Sequence, residues 1–224
     1  MSMLSNLDLV RRVPLFAKLS PLQAETMASA VTKVHYKRGE VVVAQGKSPD
    51  ALFIILSGRA RVLMTDNKER EVILSTLRAG DYVGEMSLID GEPHSASVIA
   101  DQPMDVLMLG REEFMRCLTE NTTTAFAVMR GLVGRLRSAD QKISSLALSD
   151  VYGRVANVLL EFAVPDDRGE LWIREKISRQ DIAKMVGASR EMVSRVMKDF
   201  EEQGFFETSD GGQVRVYERR AMPR

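Results

Sequence analysis

Apolar residues recur along this chain at two different periods, and the switches between them divide it. Between residues 4 and 30 they follow helical spacing, broken by Pro14 and Pro21, which predicts short helices over LDLVRRVPLF and SPLQAETMASAV. Pro21 behind Ser20 is a proline in a first helical turn. From Thr32 the texture becomes short β-branched runs punctuated by glycine: VTKVHY, RGEVVVAQG, ALFIILSGRARVLM, REVILSTLRAGDYVG, SASVIA and DVLMLG. Short runs at this spacing predict a sandwich or barrel. Gly39, Gly46, Gly58, Gly80 and Gly84 fall at the breaks, where a positive φ is called for. Helical spacing returns at Arg111-Glu112-Glu113-Phe114. Beyond Asn121, residues Ala125, Met129, Leu132, Leu136, Ala139, Ile143 and Leu146 are spaced 4-3-4-3-4-3. A heptad seam of that length predicts a parallel coiled-coil homodimer; the competing reading packs the seam on its own chain.

The C-terminal third carries a different pattern. Asp150 is placed to cap a helix over Val151–Ala163, Pro165-Asp166-Asp167-Arg168-Gly169 reads as a turn, and Leu171-Trp172-Ile173 as a short strand with Trp172 in the core. Ile177–Phe206 then reads as two helices about a tight turn. Ser178 caps the first, with Asp181 in a capping-box-like position. Gly187 stops that helix by accepting a left-handed backbone, Ser189 caps the second, and Gly204 ends it. A short helix, glycine turn and capped second helix form the helix-turn-helix pattern. Phe205–Thr208 and Val214–Tyr217 around Asp210-Gly211-Gly212 read as a hairpin, the wing of a winged helix-turn-helix, with Arg215 placed to meet phosphate. At the start of the second helix stand Arg190, Glu191 and Ser194, with Arg195 one turn on. An arginine fork matches two acceptors on guanine, and glutamate accepts from the cytosine amino group. An ordinary helical hairpin with a solvated charged face is the bland alternative.

Composition narrows the partners. The 224 residues suffice for two modest domains, and Lys+Arg and Asp+Glu are 31 each, so any DNA affinity comes from a local patch rather than a bulk field. From Arg174 to Asp199 seven basic residues face four acidic ones, and Arg219-Arg220 adds a short basic tail. The single cysteine, Cys117, excludes an intrachain disulfide, suits a reducing cytoplasm, and reads as a small core residue among Phe114, Met115 and Leu118. Neither a signal-peptide core nor an apolar run of spanning length is present. No clustered nucleophile and base, metal spacing or Walker loop points to an enzyme.

The segment SRQDIAKMVGASREMVSRVMKDFEEQG resembles the DNA-binding motif of the CRP/FNR family, the cAMP-receptor-like bacterial transcription regulators. The resemblance implies that Ser189-Arg190-Glu191 and Arg195 read a TGTGA-type half-site and that Arg179 and Gln180 touch phosphates. The glycine rhythm of residues 15–115 resembles the cyclic-nucleotide-binding β-roll, and Gly84-Glu85-Met86-Ser87 through His94-Ser95-Ala96 resembles its phosphate-binding cassette. By that resemblance Glu85 binds a ribose hydroxyl, while an arginine and a serine bind the cyclic phosphate. This chain has Ser95 but carries His94 in place of the arginine; an imidazole near its unperturbed pKa of ~6.5 is half-charged and lacks a bidentate fork. Arg135 matches a family arginine near the ligand. The Thr-Ser pair that holds adenine in cAMP receptors is replaced by Ala139 and Asp140. Asp140 accepts only, which suits guanine, and Arg137-Ser138-Ala139-Asp140 has the RxxD form of some cyclic-di-GMP sites. An equal alternative makes Arg135 and Asp140 a g–e′ salt bridge between two chains. One cysteine also excludes a cluster held by several cysteines, the device of the family's oxygen sensors.

Together these readings give an α+β chain: a cyclic-nucleotide-binding β-roll domain with flanking helices (1–121), a dimerisation helix and hinge (122–148) and a winged helix-turn-helix DNA-binding domain (149–224). The expected protein is a cytoplasmic, homodimeric transcription regulator without a covalent cofactor. A cyclic nucleotide effector, cAMP or cyclic-di-GMP, controls it; it binds double-stranded palindromic DNA, is implied to contact RNA polymerase, and has no membrane partner. The alternatives are a ligand-independent regulator with a vestigial pocket, a cyclic-nucleotide-processing enzyme, and a haem sensor ligated by His35 or His94.

Overall fold

Ser5 opens the first helix, α1 (Asn6–Arg12), with a capping box: its hydroxyl accepts from the Asp8 N–H while the Asp8 carboxylate accepts from the Ser5 N–H. Ser20 and Gln23 repeat the device at α2 (Pro21–Ala30). The structure is a computed structural model and describes residues 5–175, 177–209 and 213–217. The helix expected through Phe16 stops at Arg12. Pro14 pushes Val13 to an extended backbone (φ −78°, ψ 119°), and Pro14–Phe16 forms a separate 3-10 turn.

Eight strands follow: β1 (Val31–Tyr36), β2 (Val41–Val43), β3 (Ala51–Ser57), β4 (Arg59–Thr65), β5 (Glu71–Arg78), β6 (Tyr82–Val83), β7 (Ser97–Ala100) and β8 (Met104–Gly110). They build two four-stranded antiparallel sheets, β1-β8-β3-β6 and β2-β7-β4-β5. The run ALFIILSGRARVLM breaks into two strands at Gly58, as its glycine predicts: Gly58 (φ 88°) turns the chain where a Cβ would come 2.5 Å from that of Met104. Strand β3 reads as a continuous apolar run because both its faces are covered. Leu52 and Ile54 pack with Phe16, Leu88 and Phe114 toward the helices, while Phe53 and Ile55 pack with Ala60 and Val98 between the sheets. Cys117 is buried in the helical layer.

Helix α3 (Glu85–Asp90) leaves β6, and α4 (Arg111–Glu120) leaves β8. The Asn121 side chain accepts from the Thr124 N–H and starts α5 (Thr122–Leu148). Thr124, Val128 and Leu132 line the inner stripe of α5, with Leu132 packed on its own core. The outward apolar row is therefore Phe126, Met129, Val133, Leu136 and Ile143, with Phe126 60% and Leu136 62% exposed. Of the predicted seam, Leu132 packs on its own core, while Met129, Leu136, Ala139, Ile143 and Leu146 are exposed; Phe126 and Val133 join the outward row, and Asp140 falls in line between Leu136 and Ile143. A 4-3 spacing admits neighbouring stripes on one helix, and packing decides between them.

The remaining elements are α6 (Val151–Phe162), β9 (Val164–Pro165), β10 (Leu171–Ile173), α7 (Arg179–Val186), α8 (Arg190–Glu202), β11 (Phe206–Thr208) and β12 (Val214–Val216), with the strands ordered β11-β12-β10-β9. Asp150 caps α6 by accepting from the Gly153 N–H. Val155, Leu159, Ile182, Val186, Val193, Val196 and Phe200 form one core. Trp172 is half-buried at its margin rather than inside it. The hairpin turn Asp210-Gly211-Gly212, Lys176 and the tail Arg219-Arg220 lie outside the described residues. By contacts the chain divides into Met1–Leu136 and Arg137–Arg224. Among the described residues, no helix is long and apolar enough to cross a membrane.

Candidate ligand cassette and DNA-reading helix

Gly84 makes the corner between β6 and α3 with φ 102°, and a Cβ there would lie 2.6 Å from the Ala51 carbonyl oxygen. That corner delivers the next side chain, Glu85, wholly into the interior. Burial raises the Glu85 carboxyl above its usual value, and Arg135 pulls it back. Arg135 projects from α5 and donates through Nη1 to Glu85 Oε1 at 2.6 Å. Through Nη2 it donates to the Tyr82 carbonyl, and its guanidinium stands 5.2 Å from the centre of the Tyr82 ring. Glu85 Oε2 is buried and has no hydrogen-bond partner among the described residues. The result is a carboxylate with one oxygen committed and one open to a hydroxyl donor.

The rest of the cassette is mixed. Ser87 and His94 are buried; Met86 and Ser95 are exposed and Ala96 half-buried. The His94 N–H donates to the Lys47 carbonyl at 2.9 Å and the Gly46 N–H donates to the His94 carbonyl at 2.8 Å, pinning the segment to the loop after β2. Burial lowers the His94 imidazole from its ordinary value, against an opposing pull from Asp50. His94 is thus neutral near pH 7 rather than half-charged. Arg135 comes to the cassette, where the family resemblance implied it, and is bonded there to Glu85. Ala139 and Asp140 are exposed further along α5. Two residues of this site, Tyr82 and Gly131, escaped the sequence reading; the available signal was a glycine amid a helical pattern.

The helix-turn-helix has the local geometry its residues predict. Ser178 accepts from the Asp181 N–H to start α7. Gly187 ends it with φ 65°, ψ 44°, and Ser189 accepts from the Met192 N–H to start α8. Val193, Val196 and Phe200 bury one face of α8. The opposite face leaves Ser189, Arg190, Glu191 and Arg195 exposed, Ser194 half-buried beside them, and Arg179 and Gln180 exposed at the start of α7. Arg179 Nη1 donates to the Ser194 carbonyl at 3.3 Å. Glu191 has its carboxyl lowered by its own backbone N–H, by Ser189 and by Arg190, so it is an ionised acceptor at neutral pH. Arg154 on α6 donates to the carbonyls of Val186 and Ser149, both at 2.9 Å, and sets α7 against α6. Arg215 is engaged by Glu170 and flanked by the rings of Trp172 and Tyr217. This arginine, read from the sequence as a phosphate contact on the wing, is thus also tied to residues of its own domain.

A buried half-free carboxylate in a β-roll and a capped, outward-facing second helix in a winged domain are the two features that a ligand-controlled DNA-binding regulator combines. Comparison with known proteins agrees. Residues 33–121 match the cyclic nucleotide-binding domain, and residues 153–223 match the Crp-like helix-turn-helix domain. The chain is 32% identical over 188 residues (83% of it, 89% of the relative) to the cAMP-activated global transcriptional regulator CRP of Salmonella typhimurium. It is 26% identical over 220 residues (97% and 98%) to the CRP-like cAMP-activated global transcriptional regulator of Mycobacterium tuberculosis. The chain belongs to the CRP/FNR family, whose members named here are transcription regulators and not enzymes. Its fold also matches the c-di-GMP responsive global regulator CLP of Xanthomonas campestris, with a TM-score of 0.74 at 23% identity over 87% of this chain and 98% of that one.

Proposed function

We propose that the protein is a homodimeric transcription regulator whose cassette, Gly84 to Ala96 with Arg135, takes a cyclic nucleotide or cyclic dinucleotide and thereby controls binding to a TGTGA-type palindrome. The observation that carries this reading is the open oxygen of the fully buried Glu85. An unpaired acceptor in a dry site is costly, and a ribose hydroxyl is the donor that satisfies it. In calorimetry with cAMP and with cyclic-di-GMP, Glu85→Gln weakens whichever binds by about 1.5–3 kcal/mol, the worth of a hydrogen bond to a charged group. Unchanged affinity would move the ligand elsewhere. Cyclic-di-GMP binding that is lost in Asp140→Ala assigns Asp140 to guanine; tight cAMP binding makes Ala139 and Asp140 tolerated replacements.

The DNA is read by Ser189, Arg190, Glu191, Ser194 and Arg195, and positioned through Arg179 and Gln180. Two-fold symmetry of the operator calls for two copies of the chain, and the outward row of α5 is the surface that supplies them. Leu136→Glu, in the middle of that row, turns a dimer into a monomer in sedimentation velocity; a dimer that survives it is built on another face. The family resemblance extends the proposal to contact with RNA polymerase.

A second reading, a ligand-independent regulator with a vestigial pocket, is favoured by one observation: His94, where a phosphate calls for a cation, is buried and neutral near pH 7. The two readings separate by pH. An anionic phosphate beside His94 stabilises its protonated form, so binding takes up a proton. Affinity for a cyclic nucleotide then rises as pH falls through the histidine's value in the complex, and levels off below its lowered value in the free protein. A flat profile from pH 8 to about 5 removes His94 from the phosphate site.

A further inference from the structure

The long helix α5 carries Gly131 in its middle, where glycine weakens a helix relative to alanine. One contact accounts for it. A Cβ at Gly131 would lie 2.1 Å from the Tyr82 hydroxyl oxygen and 3.1 Å from Cζ of that ring, whereas one at Gly134 would meet nothing within 4 Å. Only hydrogen fits at Gly131 while Tyr82 keeps its place. Tyr82 reaches from β6 to α5, and its hydroxyl donates to the Val128 carbonyl at 3.4 Å. Its ring underlies the Arg135 guanidinium at 5.2 Å, and its carbonyl accepts from Arg135 Nη2. Val128, Gly131 and Arg135 are spaced 3 and 4 along α5, so they share one face, and Tyr82 touches all three. The far end of this chain of contacts is the 2.6 Å bond from Arg135 to the buried Glu85.

We propose that Tyr82 is a positioning residue. Seated in the slot at Gly131, it holds the Arg135 guanidinium on Glu85 and so sets the ligand affinity of the cassette. The proposal rests on the reading of Glu85 as the ligand's acceptor. An arginine side chain has many rotamers, and a fixed carbonyl plus a ring face restrict them in advance of binding. The charged group facing Glu85 is Arg135. Tyr82, the titratable neighbour on the β6 side, has its hydroxyl raised by burial first and then by the charges of Glu85 and Asp81, against Arg135, so it is a neutral phenol at working pH. When the ring is pushed off its seat, Arg135 loses its support and Glu85 is left buried without a counter-charge. Such a carboxyl takes up a proton more readily, which removes the acceptor the ligand needs.

The test compares four full-length proteins: wild type, Tyr82→Phe, Gly131→Ala and the double variant. Affinity for cAMP and for cyclic-di-GMP is measured by calorimetry, and the ligand-free thermal midpoint at about pH 8 and about pH 5. Gly131→Ala is expected to lose at least about tenfold in affinity, as when a buried charge pair is broken. Its midpoint falls further at the higher pH, where the stranded carboxyl stays charged. Tyr82→Phe keeps ring and carbonyl and binds about threefold more weakly for want of its hydroxyl bond. The double variant regains most of both losses, because without the hydroxyl the new methyl faces only Cζ, and a small ring shift makes room. Three results overturn the proposal: Gly131→Ala indistinguishable from wild type, losses that Tyr82→Phe does not repair, or a midpoint deficit equal at both pH values. If wild type binds neither nucleotide, the ligand reading and the affinity half of the proposal fall together. The midpoints then judge the positioning half alone, and a pH-dependent deficit that Tyr82→Phe repairs upholds it.

Discussion

Arg190→Ala is expected to abolish operator recognition while leaving non-specific DNA binding in place. Arg190 is the first residue of α8, exposed beside the capping Ser189, and it makes no contribution to the core behind it. A bidentate arginine–guanine contact discriminates by about 1–3 kcal/mol. A two-fold complex carries it twice, so the loss over a palindrome is about 2–6 kcal/mol, or at least about thirtyfold. Fluorescence anisotropy with a TGTGA palindrome and a shuffled duplex, at one salt concentration, separates the two affinities. Gln180→Ala provides the contrast: removing a phosphate ligand weakens both duplexes alike. Equal weakening of both duplexes by Arg190→Ala would reduce Arg190 to a backbone contact and leave the reading of bases to Arg195 and Glu191.

Arg135→Ala is the second large effect, and it appears in the ligand-free protein. It removes the partner of a carboxylate with no exposure of its own. Breaking a fully buried pair costs about 3–5 kcal/mol; because Arg135 is itself partly open to water, about 2 kcal/mol is expected here. The deficit depends on pH in a definite sense. Burial already raises the folded-state value of Glu85 above its unfolded one, and without Arg135 it rises further. A raised carboxyl destabilises the fold while it is ionised and ceases to do so once protonated. The loss from Arg135→Ala is therefore greatest at neutral and alkaline pH and shrinks on acidification, as read by urea unfolding at about pH 8 and about pH 5. A deficit independent of pH would mean that Arg135 serves by packing alone. Since Arg135 stands on the helix proposed to pair two chains, the same variant links the cassette to dimerisation, and sedimentation of the ligand-free and ligand-bound protein reports that link.

Local rules wrote much of this structure into the chain. The capped starts at Ser5, Ser20, Ser178 and Ser189 need only a side chain and an N–H within three residues. The positive-φ turns at Gly46, Gly58, Gly84 and Gly187 need only the missing Cβ. Arg190, Glu191 and Arg195 are exposed on α8 because 3.6-residue periodicity puts Val193, Val196 and Phe200 on the other side. Those features depend on neighbours in sequence, so a sequence without coordinates suffices to find them.

What the sequence left open depends on partners far away in the chain. The 4-3 spacing of α5 admitted two stripes, and the contact of Leu132 with its own core chose the outward row containing Phe126 and Val133. Arg135 meets Glu85, 50 residues earlier in the chain, only because α5 packs beside the β6–α3 corner. His94 looked half-charged until burial lowered it, and the pairing of Arg215 with Glu170, 45 residues earlier, has no local sequence signal. Gly131 had no evident purpose until Tyr82 filled the space beside it. Periodicity and capping determine which elements form and which way their apolar faces turn; desolvation and the choice among competing charge partners arise only when distant segments meet, and those two effects decide the chemistry of the site.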